Sequence, residues 1–458
     1  MPRAGSLALR RRWSDQVPRW VFVACLAALF GYFTIYDFHR LNVGHYGDFP
    51  TFYQTAEAMR DGRDPYLRWS DQYYVYPPFF AVLIMPLTRL SELDAARLYF
   101  SAHAAGMIAA LLLSCWVVLD RLGHPHRSHA AFAGALLVAV LMQSEIRGEL
   151  QMLETDALTL LSFALALWWL DRRPLLAGAA LALALSIKYL TILALPYLLI
   201  RRRWKAAASM AGSAIALALA PAAVVGWSEN LRCLRVALGG LLGRTTGVAT
   251  AGEEAHVHHL TDGINISVTS ALARLAGFAA GGGSAGSDRL GLLAAGALAA
   301  GCLGLAAVLY RRRSLPFLRW PAAPAQQAPP FRGLVALEWA GVMVATLVFS
   351  PGTNMRQLVI AALPLAVAAG LLLHPAPIPS RRTLLMAVLA LAAAFLLPLD
   401  KVMSQRAAHL WLACGVACWS LLAVYLISLG AGLDVIRHAA GRSTEQTPSL
   451  GGANGAAL

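Results

Sequence analysis

The chain has 458 residues, of which 58% are hydrophobic and only 14% are charged. Because soluble domains carry charge on about a quarter of their residues, this composition excludes a soluble globular protein. The net charge of +14 does not indicate a nucleic-acid partner, because the lysines and arginines lie in short clusters between apolar runs, as in the cytoplasmic loops of membrane proteins.

Apolar runs of membrane length recur through the chain and predict an all-α integral membrane protein. Residues 1–17 include Arg10, Arg11 and Arg12, and we expect this segment in the cytoplasm, before a first span at residues 18–38. Counting the later runs predicts about 12 spans, which end near residue 432. Residues 433–458 are expected to form a disordered cytoplasmic tail, because their end is rich in Gly and Ser.

Four polar segments are expected on the outer face of the membrane, at residues 39–94, 147–156, 226–288 and 350–357. The first segment contains Asp48, which precedes a helical pattern that ends at Gly62 and Pro65. The buried positions of that helix are predicted to be Phe52, Tyr53, Ala56 and Met59. The apolar run at residues 77–90 is short for a crossing, so we interpret it as a juxtamembrane or re-entrant helix of the same loop.

Residues 175–200 are compatible with two topologies. They lie between two basic clusters, at residues 172–173 and 201–203. If both clusters are cytoplasmic, the run goes out and returns, with its outer turn at residues 186–188; we prefer this version because it keeps more arginines inside. In the alternative, residues 77–90 cross the membrane and residues 175–200 form a single helix.

A polar loop beside a bilayer suits chemistry on a lipid-linked substrate. Glycosyl transfer to a hydroxyl needs a base that takes the hydroxyl proton and positive charge that holds the departing phosphate. Asp48 is the candidate base, and the candidate phosphate-binding cations are Lys188, Arg147 and Arg356. Two simpler interpretations stay open: Asp48 could cap the helix that follows it, and Lys188 could extend its ammonium group from an apolar helix to the membrane surface.

The third outer segment carries the histidines His256, His258 and His259, close to Asp262. Zinc sites do use His and carboxylate ligands, but these residues lack the helical HExxH spacing of zinc enzymes. We therefore predict a solvated loop here, and neither a metal site nor a cofactor.

Four blocks of sequence carry a resemblance to a known family. They are Asp48…Tyr53…Gly62…Pro65-Tyr66…Tyr76-Pro77-Pro78, Glu154-Thr-Asp156-Ala-Leu158, Gly178 through Lys188 to Trp204, and Asn265-Ile-Ser267…Arg274 followed by Ser350-Pro351. In order and spacing they resemble glycosyltransferase family 87, the polyprenol-phosphate-mannose-dependent mannosyltransferases of the GT-C superfamily. The resemblance covers most of residues 20–360.

The resemblance implies a GT-C type bundle with its catalytic domain at residues 18–432, in the inner (plasma) membrane and with an active site facing the outside or periplasm. It implies an inverting, metal-independent transfer of a hexose, mannose in the family, from a polyprenyl phosphate to a lipid or glycan hydroxyl. Asp48 would be the general base. The residues expected to bind substrate are Tyr53, Tyr76, Glu154, Asp156, Asn265 and Gln357.

Three positions depart from the family pattern and leave the sugar open. Asp156 replaces an Asn, Tyr189 follows Lys188 where a proline is common, and Arg356 with Gln357 stands where many members carry histidines. Two other functions also remain open from the sequence alone. One is a transporter or flippase that uses Lys188 and Arg147 along its pathway, and the other is a non-catalytic scaffold in envelope assembly.

Overall fold

The computed structural model describes residues 17–67, 74–125, 127–246, 260–279, 285–317, 329–396 and 402–445. Every regular element in these ranges is helical, which confirms the all-α fold class. The N-terminal segment up to residue 16, the three histidines at 256–259 and the chain after residue 445 lie outside the described residues.

In chain order the α-helices of the described residues are α1 (Arg19–Asn42), α2 (Phe49–Arg60), α3 (Pro78–Ile84), α4 (Glu92–Arg121), α5 (Arg127–Leu141), α6 (Gln143–Met152), α7 (Asp156–Trp169), α8 (Pro174–Ile187), α9 (Ala194–Ile200), α10 (Trp204–Leu219), α11 (Ala222–Val225), α12 (Trp227–Thr246), α13 (Val268–Ala279), α14 (Ala285–Arg312), α15 (Pro329–Val348), α16 (Ala362–Leu373), α17 (Arg381–Leu396), α18 (Gln405–Ala413) and α19 (Val416–Glu445). Short 3₁₀ segments at Met85–Arg89, Tyr189–Leu193 and Arg356–Ala361 adjoin α3, α9 and α16.

Seven helical segments of the described residues are long and apolar enough to cross a membrane. They are Arg19–Asn42, Glu92–Arg121, Trp204–Val225, Gly286–Arg312, Phe331–Val348, Arg356–Leu373 and Val416–Ala440. The bent pair Ser128–Leu141 and Gln143–Met152, with 74° between its halves, would make an eighth. The expected count of about 12 is therefore not confirmed by length. Apolar helices such as α7 and α8 have 14 residues each, about 21 Å of helix against about 30 Å of hydrocarbon.

The described residues of the first loop include the helix that the sequence predicts. Helix α2 begins after Asp48 and buries Phe52, Tyr53, Ala56 and Met59. The apolar run that follows forms α3 and a 3₁₀ segment that together cover Pro78–Arg89, too short to be counted as a span. The second outer segment differs from the expectation of a loop at residues 147–156, because α6 stays helical up to Met152.

The segment between the two basic clusters folds as two short helical pieces with a turn at residue 188, and the expectation that it crosses the membrane twice stays a prediction. Helix α8 ends at Lys188, whose extended backbone (φ −145°, ψ 130°) breaks the helix. The chain then comes back, because the Arg203 guanidinium lies 2.6 Å from the Asp171 carboxylate at the other end of α8. Lys188 therefore lies at the turn of a helical hairpin.

Close packing of α8 against α10 explains one glycine of this hairpin. A Cβ atom on Gly178 would lie 2.2 Å from the carbonyl oxygen of Ala206 and 2.7 Å from the backbone nitrogen of Met210. Since backbone atoms cannot move aside as a side chain can, only glycine lets the two helices approach this closely. The hairpin is thereby fixed against the next helix.

Ion pairs gather at both ends of the bundle. One end contains Asp171, which contacts Arg121 at 2.9 Å and Arg203 at 2.6 Å, together with the Arg201–Glu338 pair. The turn at Lys188 lies at the opposite end of α8, and this second end holds the candidate site. Apolar side chains fill the space between the two ends.

The C-terminal part differs from the expectation of a disordered tail from residue 433. Helix α19 continues to Glu445. Leu433 and Ile436 are buried in the bundle, and the Asp434 carboxylate lies 2.7 Å from Arg313. Burial and this ion pair hold residues 433–436 in the helix, although the composition beyond them suggested disorder.

Candidate active site

Asp48 is placed by a close approach between two distant parts of the chain. Its backbone N–H donates to the carbonyl of Met152 at 2.8 Å. Gly47 has φ +57°, and a Cβ there would lie 2.5 Å from the same carbonyl oxygen, so this approach requires glycine. The Asp48 side chain makes no capping hydrogen bond to α2. Only 14% of that side chain is exposed. The capping interpretation therefore lacks its hydrogen bond.

Arg356 joins Asp48 to the turn between α6 and α7. Its guanidinium lies 2.8 Å from Glu154 Oε1 and 3.9 Å from Asp48 Oδ2. The Arg356 side chain is 40% exposed, whereas that of Glu154 is 4% exposed. Arg356 is thus a partly accessible cation that bridges two carboxylates which are 106 positions apart in the sequence.

Lys188 approaches the same turn from the α8 hairpin. Its Nζ lies 2.9 Å and 2.8 Å from the two carboxylate oxygens of Asp156, and 3.7 Å from Glu154 Oε2. The Gln357 amide is assigned the orientation that satisfies both of its polar atoms. Its oxygen then accepts a hydrogen bond from Lys188 Nζ at 3.2 Å, and its nitrogen donates one to the Gly352 carbonyl at 3.1 Å. Asp48, Glu154, Asp156, Lys188 and Arg356 therefore form one group, here called the site cluster.

The charges of the site cluster act on each other and on Tyr76. Burial alone would raise the pKa of Glu154, but Lys188 and Arg356 outweigh it and lower that pKa below its ordinary value. Glu154 therefore stays ionised at neutral pH. Burial, followed by the carboxylates of Glu154, Asp156 and Asp48, raises the pKa of Tyr76 well above its ordinary value. The Tyr76 hydroxyl consequently keeps its proton beside the site cluster.

The sequence profile of glycosyltransferase family 87 matches residues 74–351, more than half of the chain. The chain belongs to glycosyltransferase family 87. The matched region contains Tyr76, Glu154, Asp156 and Lys188, while Asp48 precedes it and Arg356 follows it. Family membership makes the chain a membrane glycosyltransferase.

Among solved structures, this family 87 protein is similar to ArnT from Cupriavidus metallidurans bound to undecaprenyl phosphate. The TM-score is 0.43 and the identity 14%, over 92% of this chain and 78% of that chain. The apo state of ArnT gives a TM-score of 0.42 and 14% identity, over 93% and 78% of the two chains. No curated protein matches the sequence.

Three predicted site residues of the family 87 protein make other contacts. The Arg147 guanidinium carbon lies 4.7 Å from the centre of the Tyr36 ring, and no ion pair among the described residues joins Arg147 to the site cluster. The Tyr53 hydroxyl donates to the Leu90 carbonyl at 2.8 Å and so ties α2 to its own loop. The backbone carbonyl oxygen of Asn265 accepts a hydrogen bond from the Arg274 guanidinium at 2.8 Å.

Sequence reasoning missed a buried pair that lies against the α6–α7 turn. Glu149 on α6 and His103 on α4 are almost fully buried, with 3.6 Å between Oε1 and Nε2. His103 lies in a mostly apolar helix, and ionisable residues in such segments mark functional candidates. That rule, which identified Lys188, could also have identified His103, whereas Glu149 lies on a mostly polar helix and gave no such signal.

Three carboxylates of this family 87 protein have the spacing of a cation site. Glu149, Glu154 and Asp156 each offer an oxygen, and these oxygens lie within 4.8 Å of one another. The Lys188 ammonium group already contacts Asp156 at 2.8 Å and Glu154 at 3.7 Å, and it supplies positive charge at the point where a divalent cation would otherwise do so. The expectation that no metal takes part stays a prediction.

Proposed function

We propose that the protein transfers a hexose, mannose in the first instance, from a polyprenyl phosphate to a hydroxyl of a lipid or glycan acceptor. The reaction is inverting and needs no metal ion, and it takes place on the outer face of the plasma membrane. Asp48 is the general base. Lys188 and Arg356 interact with the phosphate, and Tyr76, Glu154, Asp156 and Gln357 contact the sugar or the acceptor.

One observation carries this proposal: the candidate base and two cations belong to one cluster at a single end of the bundle. Arg356 bridges Asp48 and Glu154, and Lys188 contacts Glu154 and Asp156. These residues come from four separate stretches of sequence. A structural ion pair needs two partners, whereas a base that belongs to one cluster with two cations is the arrangement that transfer from a phosphate requires.

The chemistry follows from this arrangement. The acceptor oxygen forms a bond to the anomeric carbon while the bond from that carbon to the phosphate oxygen breaks. Asp48 takes the hydroxyl proton, and the electron pair of the broken bond leaves with the polyprenyl phosphate, whose charge Arg356 and Lys188 stabilise. Attack from the face opposite the phosphate inverts the anomeric configuration. With its 40% exposed side chain, Arg356 is the cation that a donor phosphate reaches most easily.

The metal-independent part of the proposal is supported by Lys188. An ammonium group that contacts two carboxylates already balances charge in the α6–α7 turn. When a donor phosphate arrives, the same ammonium group can form a charge-assisted hydrogen bond with it. Positive charge is therefore supplied by the chain itself, as the transfer requires.

The test compares Asp48→Asn with Asp61→Asn in membranes supplied with polyprenyl-phosphate mannose and a glycolipid acceptor. Asp61 is in the same loop and is a matched control, because its exposed carboxylate pairs only with neighbouring Arg60 and Arg63 in the described contacts. Loss of the base should slow transfer by about 100-fold or more, with the protein level unchanged, and Asp61→Asn should transfer normally. Full activity in Asp48→Asn would remove Asp48 from the mechanism.

Substrate and stereochemistry need separate measurements. Parallel reactions with donors that carry other hexoses identify the sugar, and the anomeric configuration of the product, read by NMR, identifies inversion. A product that retains the donor configuration would contradict single-step transfer with Asp48 as base.

A further inference from the structure

The turn that joins α6 to α7 carries two of the five residues in the site cluster and needs outside support. It begins at Leu153, which adopts left-handed backbone angles (φ 52°, ψ 39°). Such angles cost a non-glycine residue about 1–2 kcal/mol. Glu154 and Asp156 follow, and both are almost fully buried. A strained turn with two buried carboxylates keeps its shape only if neighbouring groups hold it.

Glu149 holds the far side of this turn. Its Oε1 accepts a hydrogen bond from the backbone N–H of Ala157 at 2.9 Å. Ala157 is in the first turn of α7, where backbone N–H groups have no partner within the helix. A carboxyl group from α6 therefore caps α7 from outside that helix and joins the two helices across the turn. Glu149 is completely buried, so no water competes for this contact.

Two aromatic residues of α4 support the turn and Glu149 from the other side. Tyr99 donates its hydroxyl to the backbone carbonyl of Glu154 at 3.2 Å. His103 lies one helical turn later and stacks on the Tyr99 ring at 5.9 Å with 10° between the ring planes. His103 Nε2 faces Glu149 Oε1 at 3.6 Å. Neither His103 nitrogen has a hydrogen-bond partner among the described residues.

We propose that Glu149, supported by His103, is a positioning residue that holds the α6–α7 turn so that Glu154 and Asp156 face Lys188 and Arg356. Its essential feature is the oxygen that accepts from Ala157, and not a negative charge. The three carboxylates of the site cluster already outnumber its two cations by one. A further negative charge on Glu149 is therefore not needed to balance Lys188 and Arg356.

This inference rests on the proposed function only for the identity of the donor. Its test therefore measures the binding of a polyprenyl phosphate to the purified protein, which needs no transfer, and then transfer with separate kcat and donor KM. Glu149→Ala leaves the Ala157 N–H buried without a partner, and we expect donor-lipid binding to weaken by about 5- to 150-fold. Donor KM should rise in parallel.

Three further variants separate positioning from a general loss of structure. Glu149→Gln keeps an acceptor oxygen without the charge, and it should bind and transfer close to wild type. Tyr99→Phe removes only the hydrogen bond to Glu154, and it should weaken binding less than Glu149→Ala does. Glu145→Ala is the matched control, because Glu145 is a buried carboxyl group one turn earlier on α6 with no hydrogen-bond partner among the described residues; it should leave binding unchanged.

The outcomes distinguish this inference from the proposed function. If Glu149→Gln binds as weakly as Glu149→Ala, the charge is essential and the positioning role is wrong. The role is also wrong if Glu149→Ala binds as well as wild type. If wild type binds polyprenyl phosphate and transfers no sugar, the proposed function fails, while the binding series still decides the role of Glu149.

Discussion

Replacing Lys188 with methionine tests the electrostatic basis of the site. Methionine keeps most of the volume of lysine and removes the ammonium group, which lies 2.9 Å and 2.8 Å from the Asp156 oxygens. Asp156 is 0% exposed and Glu154 is 3% exposed, so water cannot replace the lost charge. Removing one partner of a buried ion pair typically costs about 3–5 kcal/mol.

The carboxyl group can reduce this loss by taking up a proton, because burial already raises the pKa of Asp156 to about 6 with Lys188 in place. The free energy of unfolding of Lys188→Met should therefore fall by about 3 kcal/mol, at the lower end of that range. Since a protonated carboxyl group needs no counter-ion, the deficit should shrink as the pH is lowered.

Reversible denaturation of the purified protein in detergent measures this change. The double variant Lys188→Met with Asp156→Asn removes both charges, and it should recover most of the lost stability. It should not recover transfer, because the cation proposed for the donor phosphate is missing. A Lys188→Met protein within about 1 kcal/mol of wild type would refute the reasoning, since it would place the pair in the range of exposed surface ion pairs.

Three other predictions concern packing, placement and metals. Gly178→Ala puts a Cβ 2.2 Å from the Ala206 carbonyl oxygen and should lower the free energy of unfolding by about 1–3 kcal/mol. Its control is Gly212→Ala on α10, where a Cβ meets nothing within 4 Å, and this variant should be neutral or stabilising. Gly47→Ala puts a Cβ 2.5 Å from a backbone oxygen and should reduce transfer more than Gly44→Ala, which shares a positive φ but meets no neighbour; equal effects would show that backbone strain alone is responsible. Transfer assayed in EDTA should match transfer with added magnesium, and a loss restored by a divalent ion would contradict the metal-independent mechanism.

Local patterns in the sequence were enough to predict the class of fold and several of its details. Helix α2 and its buried positions follow from hydrophobic periodicity, because the 3.6-residue repeat is a property of the segment itself. The break at Lys188 follows from basic clusters on both sides of one apolar run, since charge at the membrane surface orients each segment. The family resemblance and the candidate base Asp48 likewise came from short blocks of sequence.

The tertiary structure decided which of these residues meet. Arg356 reaches Glu154 across 202 positions of the chain, and Lys188 reaches Asp156 across 32. Arg147 stacks on Tyr36 instead of joining them. Periodicity and charge specify a helix and the face that it buries, but the partners of a side chain depend on how separate helices pack. The same packing buries Glu149 against the α6–α7 turn and keeps α19 helical beyond residue 433.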